Sequence, residues 1–349
     1  MKPIKLKNNN NPKILIRAAN WIGDAIMTTP VIRALKKNYP DSHVSILAKP
    51  WVVPVFDNNP YIDKIILFDD KKTHKKGFGF LRLAKDLRKY KFDISILMPN
   101  SFSSALITFF AGIPQRVGFN TDTRTLLLNK CVKLNPQLKQ GHLINYYLGI
   151  LKGVNLKTYG QDLDLFMTIN EKKNAQKILK NHQINIKKPI IGINPGATGI
   201  TSKRWFPKRY AETAEKLAKI YNVKIIIFGS SKEKELGDYI AEKSGNVCVN
   251  LAGKTNLRQA FSLIEKCCLF ITNDSGLMHA AAGFNINQIA LIGPTNHIAT
   301  APLSSNTHLI QVPVMCSPCK KLICPIDHKC MTKITSNMVI EKARIILEK

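Results

Sequence analysis

Short runs of apolar residues alternate with amphipathic segments along the whole chain, and this pattern predicts its strands and helices. Near-continuous runs of Ile, Val and Leu are typical of strands buried in a parallel sheet. The predicted strands are Ile14–Ala18, Val44–Ala48, Lys64–Phe68, Ile94–Met98 and Arg116–Phe119, then Ile190–Asn194, Lys224–Phe228, Val247–Leu251, Leu269–Thr272 and Gln288–Ile292. The predicted helices are Ala25–Asn38, Phe80–Tyr90, Ser103–Ala111, Lys208–Tyr221, Lys232–Lys243, Leu257–Lys266, Gly276–Gly283 and Asn337–Lys349.

Both halves of the chain open in the same way, with an apolar strand, a glycine-containing turn and a helix. This alternation predicts an α/β fold built from two Rossmann-like, doubly wound domains. We expect one domain over residues 1–175 and the other over residues 176–349, with the polar segment 167–188 as the bridge. Ligands bind outside the carboxyl ends of the strands in such sheets. The loops after the strands are therefore the candidate sites, and we expect the two domains to face one another across a cleft.

Composition and charge narrow the class of protein. The 349 residues are 45% hydrophobic and 21% charged, as in soluble globular proteins. No apolar run reaches the roughly 18 residues of a membrane span, and the polar, basic leader at residues 1–13 is unlike a signal peptide, so we expect a cytoplasmic protein. A net charge of +29 favours anionic partners. The densest basic stretch, residues 69–91, is either a solvated surface or a patch that faces anionic lipid.

The first loop, N-W-I-G-D at residues 20–24, follows the first strand and leads into a helix. Its single glycine, Gly23, does not form the G-x-G-x-x-G pattern, which disfavours a nicotinamide dehydrogenase. The P-loop pattern is absent as well. Asp24 is either a helix cap or a base that takes a proton from a hydroxyl nucleophile, and the two roles are compatible.

The loop at residues 194–205, N-P-G-A-T-G-I-T-S-K-R-W, combines glycines, hydroxyls and cations ahead of a helix. Glycines allow a ligand to approach the backbone, and the helix N-terminus attracts anions. Thr198 and Lys203 are therefore predicted to contact a pyrophosphate. Glu233, after the next strand, is either an acceptor for ribose hydroxyls or an ordinary, exposed residue at a helix start.

Two further segments carry polar or metal-binding side chains. The stretch I-T-N-D-S-G-L-M-H places four candidate residues at one strand end. They are Asp274, Ser275, Gly276 and His279. Near the end of the chain, four cysteines follow the spacing C-x2-C-x4-C-x5-C, which contains half of a zinc-site pattern but departs from the common ones. The candidate zinc ligands are Cys316, Cys319, Cys324 and Cys330, with His328 among them.

Four stretches together resemble the ADP-heptose:lipopolysaccharide heptosyltransferases, glycosyltransferase family 9. They are ILIRAANWIGDAIMTTPVIRALKKNYP, DISILMPNSFSSALITFFAGIPQRVGF, NPGATGITSKRWFPKRYAETAEKL and FITNDSGLMHAAAG. The resemblance runs from about residue 13 to beyond residue 330. The N-W-I-G-D opening and the late cysteines look most like the heptosyltransferase II group, which adds the second inner-core heptose.

The resemblance implies the GT-B architecture and an inverting transfer that needs no metal or other cofactor. Asp24 matches the family's proposed base, and Lys203 matches the lysine near the donor phosphates. The implied donor-binding residues are Gly23, Thr198, Lys203, Glu233, Asp274, Ser275, Gly276 and His279. Gly199 stands where some relatives carry a second threonine.

The implied partners are ADP-heptose as donor and a phosphorylated, Kdo-bearing lipid A core as acceptor, with peripheral contact to the inner membrane surface. Residues 100–103 and the helix that follows are candidates for the acceptor side. One alternative is a heptosyltransferase that acts at another core position. A second is a basic nucleic-acid-binding protein, although no zinc-finger, RRM or helix-turn-helix signature is present. A third is a sugar-nucleotide-binding protein without catalysis, against which Asp24 and Lys203 argue.

Overall fold

The computed structural model describes residues 11–75 and 77–348. These residues belong to two compact units, Met1–Phe166 and Met167–Lys349. Most of the predicted basic leader, Lys76 in the basic stretch, and Lys349 at the end of the predicted last helix lie outside the described residues. The second unit begins before the helix Ile169–Asn181, so the boundary predicted at residues 175 and 176 would divide that helix.

The first unit is built around a parallel sheet of six strands in the order β3-β2-β1-β4-β5-β6. Its strands are β1 (Lys13–Arg17), β2 (His43–Ala48), β3 (Lys64–Leu67), β4 (Ile94–Leu97), β5 (Gln115–Phe119) and β6 (Lys130–Val132). Its helices are α1 (Ile22–Met27), α2 (Thr29–Asn38), α3 (Gly79–Arg88), α4 (Phe102–Phe110), α5 (Pro136–Gln140) and α6 (Leu143–Lys152).

The second unit contains another parallel sheet of six strands, in the order β12-β11-β10-β7-β8-β9. Its strands are β7 (Ile190–Asn194), β8 (Lys224–Ile227), β9 (Cys248–Asn250), β10 (Leu269–Asn273), β11 (Gln288–Leu291) and β12 (Thr307–Ile310). Its helices are α7 (Ile169–Asn181), α8 (Pro207–Tyr221), α9 (Lys234–Lys243), α10 (Leu257–Ile264), α11 (Gly276–Gly283), α12 (His297–Thr300), α13 (Lys329–Thr332) and α14 (Ser336–Leu347).

Both sheets have the Rossmann strand order 3-2-1-4-5-6 when the strands are counted within their own unit. The predicted fold class, α/β with two Rossmann-like doubly wound domains, is confirmed. In each unit the strand order reverses between the first and fourth strands, which are β1 and β4 in one and β7 and β10 in the other. This reversal point is where ligands bind in open α/β sheets. The loops that follow these four strands are therefore the candidate ligand-binding sites.

The structure differs from the predicted elements in several places, and it contains helices that were not predicted, among them α5, α6, α12 and α13. The predicted helix over residues 25–38 is two helices, with the break at Thr28 and a proline at the start of α2. The edge strands β6 and β12 were not predicted because both are short and partly exposed, and so lack a long apolar run. In the predicted bridge, α7 begins with a capping box formed by Thr168 and Glu171.

The helix α7 is held on the second unit by ion pairs to α10 and the residue after it. Arg258 Nε donates to Glu171 Oε1 at 2.7 Å, and Lys172 Nζ lies 2.7 Å from Glu265 Oε1. The polar composition of α7 therefore reflects a surface helix with charged contacts. No helix among residues 11–75 and 77–348 is long and apolar enough to cross a membrane.

Candidate functional site

The carboxylate of Asp24 lies just beyond the carboxyl end of β1, in the first turn of α1. The N-cap residue of α1 is Trp21, so the capping role predicted for Asp24 is wrong. A carboxylate in a first helical turn still lies near the positive end of the helix dipole. Asp24 Oδ1 accepts a hydrogen bond from the hydroxyl of Tyr147 on α6 at 3.1 Å. The half-buried Asp24 is therefore held in position by a residue far away in the sequence.

Tyr147 is 7% exposed, and burial raises the pKa of its hydroxyl well above the ordinary value. The nearby charge of Asp24 raises this pKa further, so the hydroxyl keeps its proton and acts as a donor. The preceding residue, Tyr146, packs its ring 4.5 Å from that of Phe119 and accepts a hydrogen bond from Asn100 Nδ2 at 2.6 Å. Two consecutive tyrosines of α6 thus reach Asp24 and the loop after β4.

Arg124 is fully buried and holds the loop after β4, where acceptor-side residues were predicted. Its Nη2 donates to Asn100 Oδ1 at 3.1 Å, its Nε donates to the carbonyl of Phe119 at 3.0 Å, and its Nη1 donates to the carbonyl of Pro99. The sequence gives no sign of this role, because Arg124 lies in a short turn without a recognisable motif. Hydrogen bonds from the buried Arg124 therefore hold the start of the loop after β4 in place.

Arg17, the last residue of β1, supports the loop that leads to Asp24. Its guanidinium donates to the carbonyl of Ala18 at 2.6 Å and to Asn20 Oδ1 at 2.7 Å. Burial lowers the pKa of Arg17 to about 10, although the charge of Asp70 opposes this effect. The ring of Phe68 lies 5.0 Å from the guanidinium carbon, a cation–π contact that helps to hold the buried charge.

In the second unit, Lys203 and Asp274 form an ion pair across the loops that follow β7 and β10. Lys203 Nζ lies 2.8 Å from Asp274 Oδ2, and the aspartate side chain is 6% exposed. The two residues come from separate predicted motifs, and the structure brings them together. A positive charge at the reversal point of the sheet suits the phosphates of a nucleotide ligand.

Asn273 is the residue that fixes the predicted donor loop, and the sequence analysis missed it. Its buried side chain accepts hydrogen bonds from the Trp205 backbone at 3.1 Å and from the Tyr210 hydroxyl at 3.0 Å. It also donates to the carbonyl of Pro195 at 2.7 Å. Both ends of the loop 195–205 are therefore attached to the end of β10. The only sign of this role in the sequence is that Asn273 directly precedes Asp274 in the N-D-S-G stretch.

The other residues predicted at this strand end have separate roles. Ser275 is the N-cap of α11, where its hydroxyl accepts from the Met278 backbone and from Asn194 Nδ2 at 2.7 Å. Gly276 begins the same helix, and His279 is buried within it. The structure thus gathers these residues around the start of α11.

Thr198 and Gly199 lie at the exposed tip of the loop after β7. Gly199 has a φ of +73°, a backbone conformation that a β-branched residue adopts only with strain. Glycine at position 199 is therefore compatible with this backbone, and a threonine there would be strained.

Glu233 is buried, so the interpretation of it as an exposed residue is wrong. It does lie at a helix start, where its Oε2 accepts from the backbone and the hydroxyl of Ser230, each at 2.8 Å. Its Oε1 lies 3.7 Å from Arg204 Nη2. A Cβ atom at Gly196 would lie 2.1 Å from this oxygen, so a larger residue there would displace the Glu233 carboxylate. Glu233 therefore lies against the backbone of the donor loop.

The cysteine-rich segment packs against the loop that carries Lys203. The backbone of Ser202 donates to the carbonyl of Leu322 at 3.1 Å, and His328 Nε2 lies 2.6 Å from the carbonyl of Ser202. The predicted zinc ligands line one cavity beside Ser202. They are Cys316, Cys319, Cys324 and Cys330. Over the described ranges, no group of three or more His, Cys, Asp or Glu side chains is arranged to hold a metal ion.

Comparison with known proteins identifies the family. The model of glycosyltransferase family 9 (heptosyltransferase) matches residues 80–330. The chain belongs to this family. It is 34% identical over 310 residues to lipooligosaccharide heptosyltransferase 2 of Haemophilus influenzae, covering 86% of this chain and 88% of that protein. It is 33% identical over 314 residues to lipopolysaccharide heptosyltransferase 2 of Escherichia coli, with the same coverage.

The solved structures agree with this assignment. The structure of E. coli ADP-heptose lps heptosyltransferase II superimposes with a TM-score of 0.80 at 30% identity, covering 96% of this chain and 98% of that one. The predicted resemblance to family 9, and within it to heptosyltransferase II, is confirmed. The two parallel six-stranded sheets with flanking helices have the GT-B heptosyltransferase architecture. The chain is therefore a glycosyltransferase of the heptosyltransferase family.

Proposed function

We propose that this enzyme transfers heptose from ADP-heptose to the heptosyl-Kdo-lipid A inner core of lipopolysaccharide, with inversion at the anomeric carbon. Its relatives support this donor and this class of acceptor, since they are lipooligosaccharide and lipopolysaccharide heptosyltransferases 2 and an ADP-heptose heptosyltransferase II. The observation that carries the chemical proposal is the hydrogen-bonded Asp24 carboxylate at the reversal point of the first sheet.

Asp24 acts as the general base of the proposed reaction. Its carboxylate takes the proton from an acceptor hydroxyl as the hydroxyl oxygen attacks the anomeric carbon. Tyr147 donates to Oδ1 of Asp24 and so restricts the orientation of the carboxylate. Because the buried tyrosine stays protonated, it is a positioning residue and does not compete for the proton.

Lys203 stabilises the departing ADP in the same proposal. As the bond between the anomeric carbon and the phosphate oxygen breaks, negative charge grows on the diphosphate, and a fixed ammonium group favours that charge. The ion pair with Asp274 sets the position of Lys203 before the donor binds. Ser275, Gly276 and His279 place the N-terminus of α11 beside this site, where backbone N–H groups suit phosphate oxygens.

Glu233, Gly23 and Thr198 complete the proposed donor contacts. Glu233 is proposed to accept from the ribose through Oε1, because Oε2 already accepts from Ser230. Thr198 lies at the exposed loop tip, where its hydroxyl can reach a phosphate. Gly23, which directly precedes Asp24, is proposed as a further donor contact.

Transfer is proposed to need no metal ion, since Lys203 provides positive charge for the leaving diphosphate. The test is the rate of ADP release after treatment with a chelator and removal of the chelator–metal complex. An unchanged rate is expected. A loss that Mg²⁺ or Mn²⁺ restores would contradict metal independence.

We propose that the enzyme works at the cytoplasmic face of the inner membrane, where a lipid A-linked acceptor is accessible. The acceptor is tested by measuring ADP release from ADP-heptose with Kdo-lipid A, with its mono-heptosylated form, and without acceptor. Release only with the mono-heptosylated form is the expected result. Faster release with Kdo-lipid A would instead assign transfer of the first heptose. If neither acceptor raises ADP release above the rate without acceptor, the proposed substrate is contradicted.

A further inference from the structure

An aromatic surface is exposed on helices α3 and α4 of the first unit. Phe78, just before α3, is 83% exposed, and Leu81 in its first turn is 38% exposed. At the end of α4, Phe109 and Phe110 are 44% and 37% exposed. The Phe110 ring lies 5.9 Å from the ring of Phe80 and 5.7 Å from that of Phe109. These five side chains are called the aromatic surface below.

Phe80 is partly buried and packs against the core, whereas the other four side chains of the aromatic surface are exposed. The core contacts of α3 are made by Leu83, Ala84 and Leu87, which are buried against residues of the neighbouring strands and α4. The exposed side chains of the aromatic surface cost hydration free energy in the isolated protein. Their exposure therefore indicates an interaction surface.

Cations border the aromatic surface. Arg82, Lys85 and Arg88 are exposed along α3. The guanidinium carbon of Arg116 lies 5.2 Å from the centre of the Phe109 ring, so a positive charge is attached to the surface itself. Such a combination of exposed rings and cations is typical of protein surfaces that lie in the interface of a membrane.

Little negative charge opposes these cations. The one acidic residue within α3 is Asp86, and its carboxylate lies 2.9 Å from Lys89 Nζ. The surface is therefore positive as well as aromatic. Protein–protein interfaces are depleted in lysine, whereas anionic lipid headgroups attract Lys and Arg near the membrane. Charge complementarity favours an anionic bilayer as the occupant.

We propose that the aromatic surface docks on an anionic bilayer. The rings of Phe78 and Phe109 enter the headgroup region, and Arg82, Lys85 and Arg88 meet the lipid phosphates. This inference rests on the proposed function, in which the acceptor is anchored in the membrane by lipid A. It assigns the membrane contact to particular residues of α3 and α4. It also adds insertion of apolar side chains to the electrostatic attraction between a basic protein and anionic lipid.

The experiment is co-sedimentation of the full-length protein with vesicles, without donor or acceptor. One vesicle type contains phosphatidylethanolamine and phosphatidylglycerol, and the other contains phosphatidylcholine alone. The test variants are the pair Phe78→Ser with Phe109→Ser and the pair Arg82→Gln with Lys85→Gln. The matched controls are Ile186→Ser with Ile220→Ser, which are also exposed, and Lys187→Gln with Lys188→Gln.

The protein is expected to bind the anionic vesicles and to bind phosphatidylcholine at least tenfold more weakly. The aromatic pair should weaken anionic binding at least tenfold, and the cation pair by about 25-fold, from roughly fivefold for each cation near the surface. The control pairs should each change it less than threefold. Because the substituted side chains are exposed, thermal unfolding should remain within about 2 °C of the native protein.

Equal weakening by the lysine control pair would show that binding follows net charge, and equal weakening by the isoleucine control pair would show that any exposed apolar side chain contributes; either result would overturn the assignment. Unchanged binding in the aromatic pair, or no binding of the native protein to anionic vesicles, would overturn it as well. Self-association of the native protein that the aromatic pair abolishes, without vesicle binding, would assign the surface to a second copy instead. Since neither substrate is present, these results are separate from the test of the transfer reaction.

Discussion

The sites of the two units hold their charged residue in different ways. In the first unit, Asp24 accepts a hydrogen bond from the hydroxyl of Tyr147, a neutral group. In the second, Lys203 is held by an ion pair with Asp274. A neutral donor orients a carboxylate and lowers its pKa less than a cation at the same place would. The difference therefore suits a base in one unit and a fixed positive charge in the other.

Replacing the charge of Lys203 should have a larger effect than changing the residues that surround the two sites. Lys203→Met should lower kcat about 10²- to 10³-fold, the range for loss of one group that stabilises transition-state charge. The measurement is steady-state ADP release at saturating donor. Lys208→Met, at the exposed start of α8, is the matched control and should leave kcat within about twofold. If both variants lose the same activity, general charge and not the Lys203–Asp274 pair is responsible.

Removing the hydroxyl of Tyr147 should have a smaller effect, because it acts through Asp24. Tyr147→Phe should lower kcat about tenfold, with little change in the donor Kd. Loss of a hydrogen bond to the charged carboxylate should also move the acidic limb of the kcat–pH profile to higher pH.

The neighbouring variant Tyr146→Phe is the control for this prediction. It removes a hydroxyl that contacts Asn100 and not Asp24. Its acidic limb should stay where it is in the native protein. Parallel shifts in both variants would mean that the hydroxyls of α6 affect folding of the unit and not the base.

The smallest effect on activity is expected at Glu171, which contributes to neither site. Hydrogen bonds from Arg258 are the main reason that the pKa of Glu171 is lowered to about 2 from its ordinary value of 4.5, a change that burial opposes. The carboxylate therefore stabilises the folded state above pH 4.5, and this contribution is lost as the pH falls towards 2.

Glu171→Gln should consequently lower the free energy of unfolding by about 1–2 kcal/mol at pH 7, after allowance for the partial exposure of the pair. The difference from the native protein should shrink below pH 4.5. Urea unfolding at several pH values measures it. A difference in unfolding free energy that stays constant down to pH 2 would contradict this role. The activity of the variant at pH 7 should remain within about twofold of the native protein.

The sequence anticipated the placement of residues in the second unit better than in the first, and the reason is the distance along the chain between interacting residues. Lys203 and Asp274 each lie in a short stretch directly after a predicted strand, so local patterns indicate where they lie, and the structure pairs them. Asn273 was missed although it lies within one of these stretches. An amide side chain that accepts from a backbone and a hydroxyl has no sequence pattern of its own.

In the first unit the contacts come from elements that the pattern did not predict. Tyr147 lies 123 residues after Asp24, on the helix α6. Arg124 supports the loop after β4 from a short turn. The strand order was predictable because alternating strands and helices with right-handed connections permit few arrangements. The packing of one helix against another is decided by tertiary contacts, which the pattern of apolar residues does not specify.

The role of Asp24 as the base is tested most directly by its isosteric amide. Asp24→Asn and the native protein are compared in ADP release from ADP-heptose with the mono-heptosylated Kdo-lipid A acceptor, and their donor Kd values are measured by calorimetry. We expect a loss of kcat of about 10²- to 10⁴-fold with an unchanged donor Kd, if Asp24 is the base. A variant that retains kcat within a few-fold, correctly folded and saturated with both substrates, would contradict it.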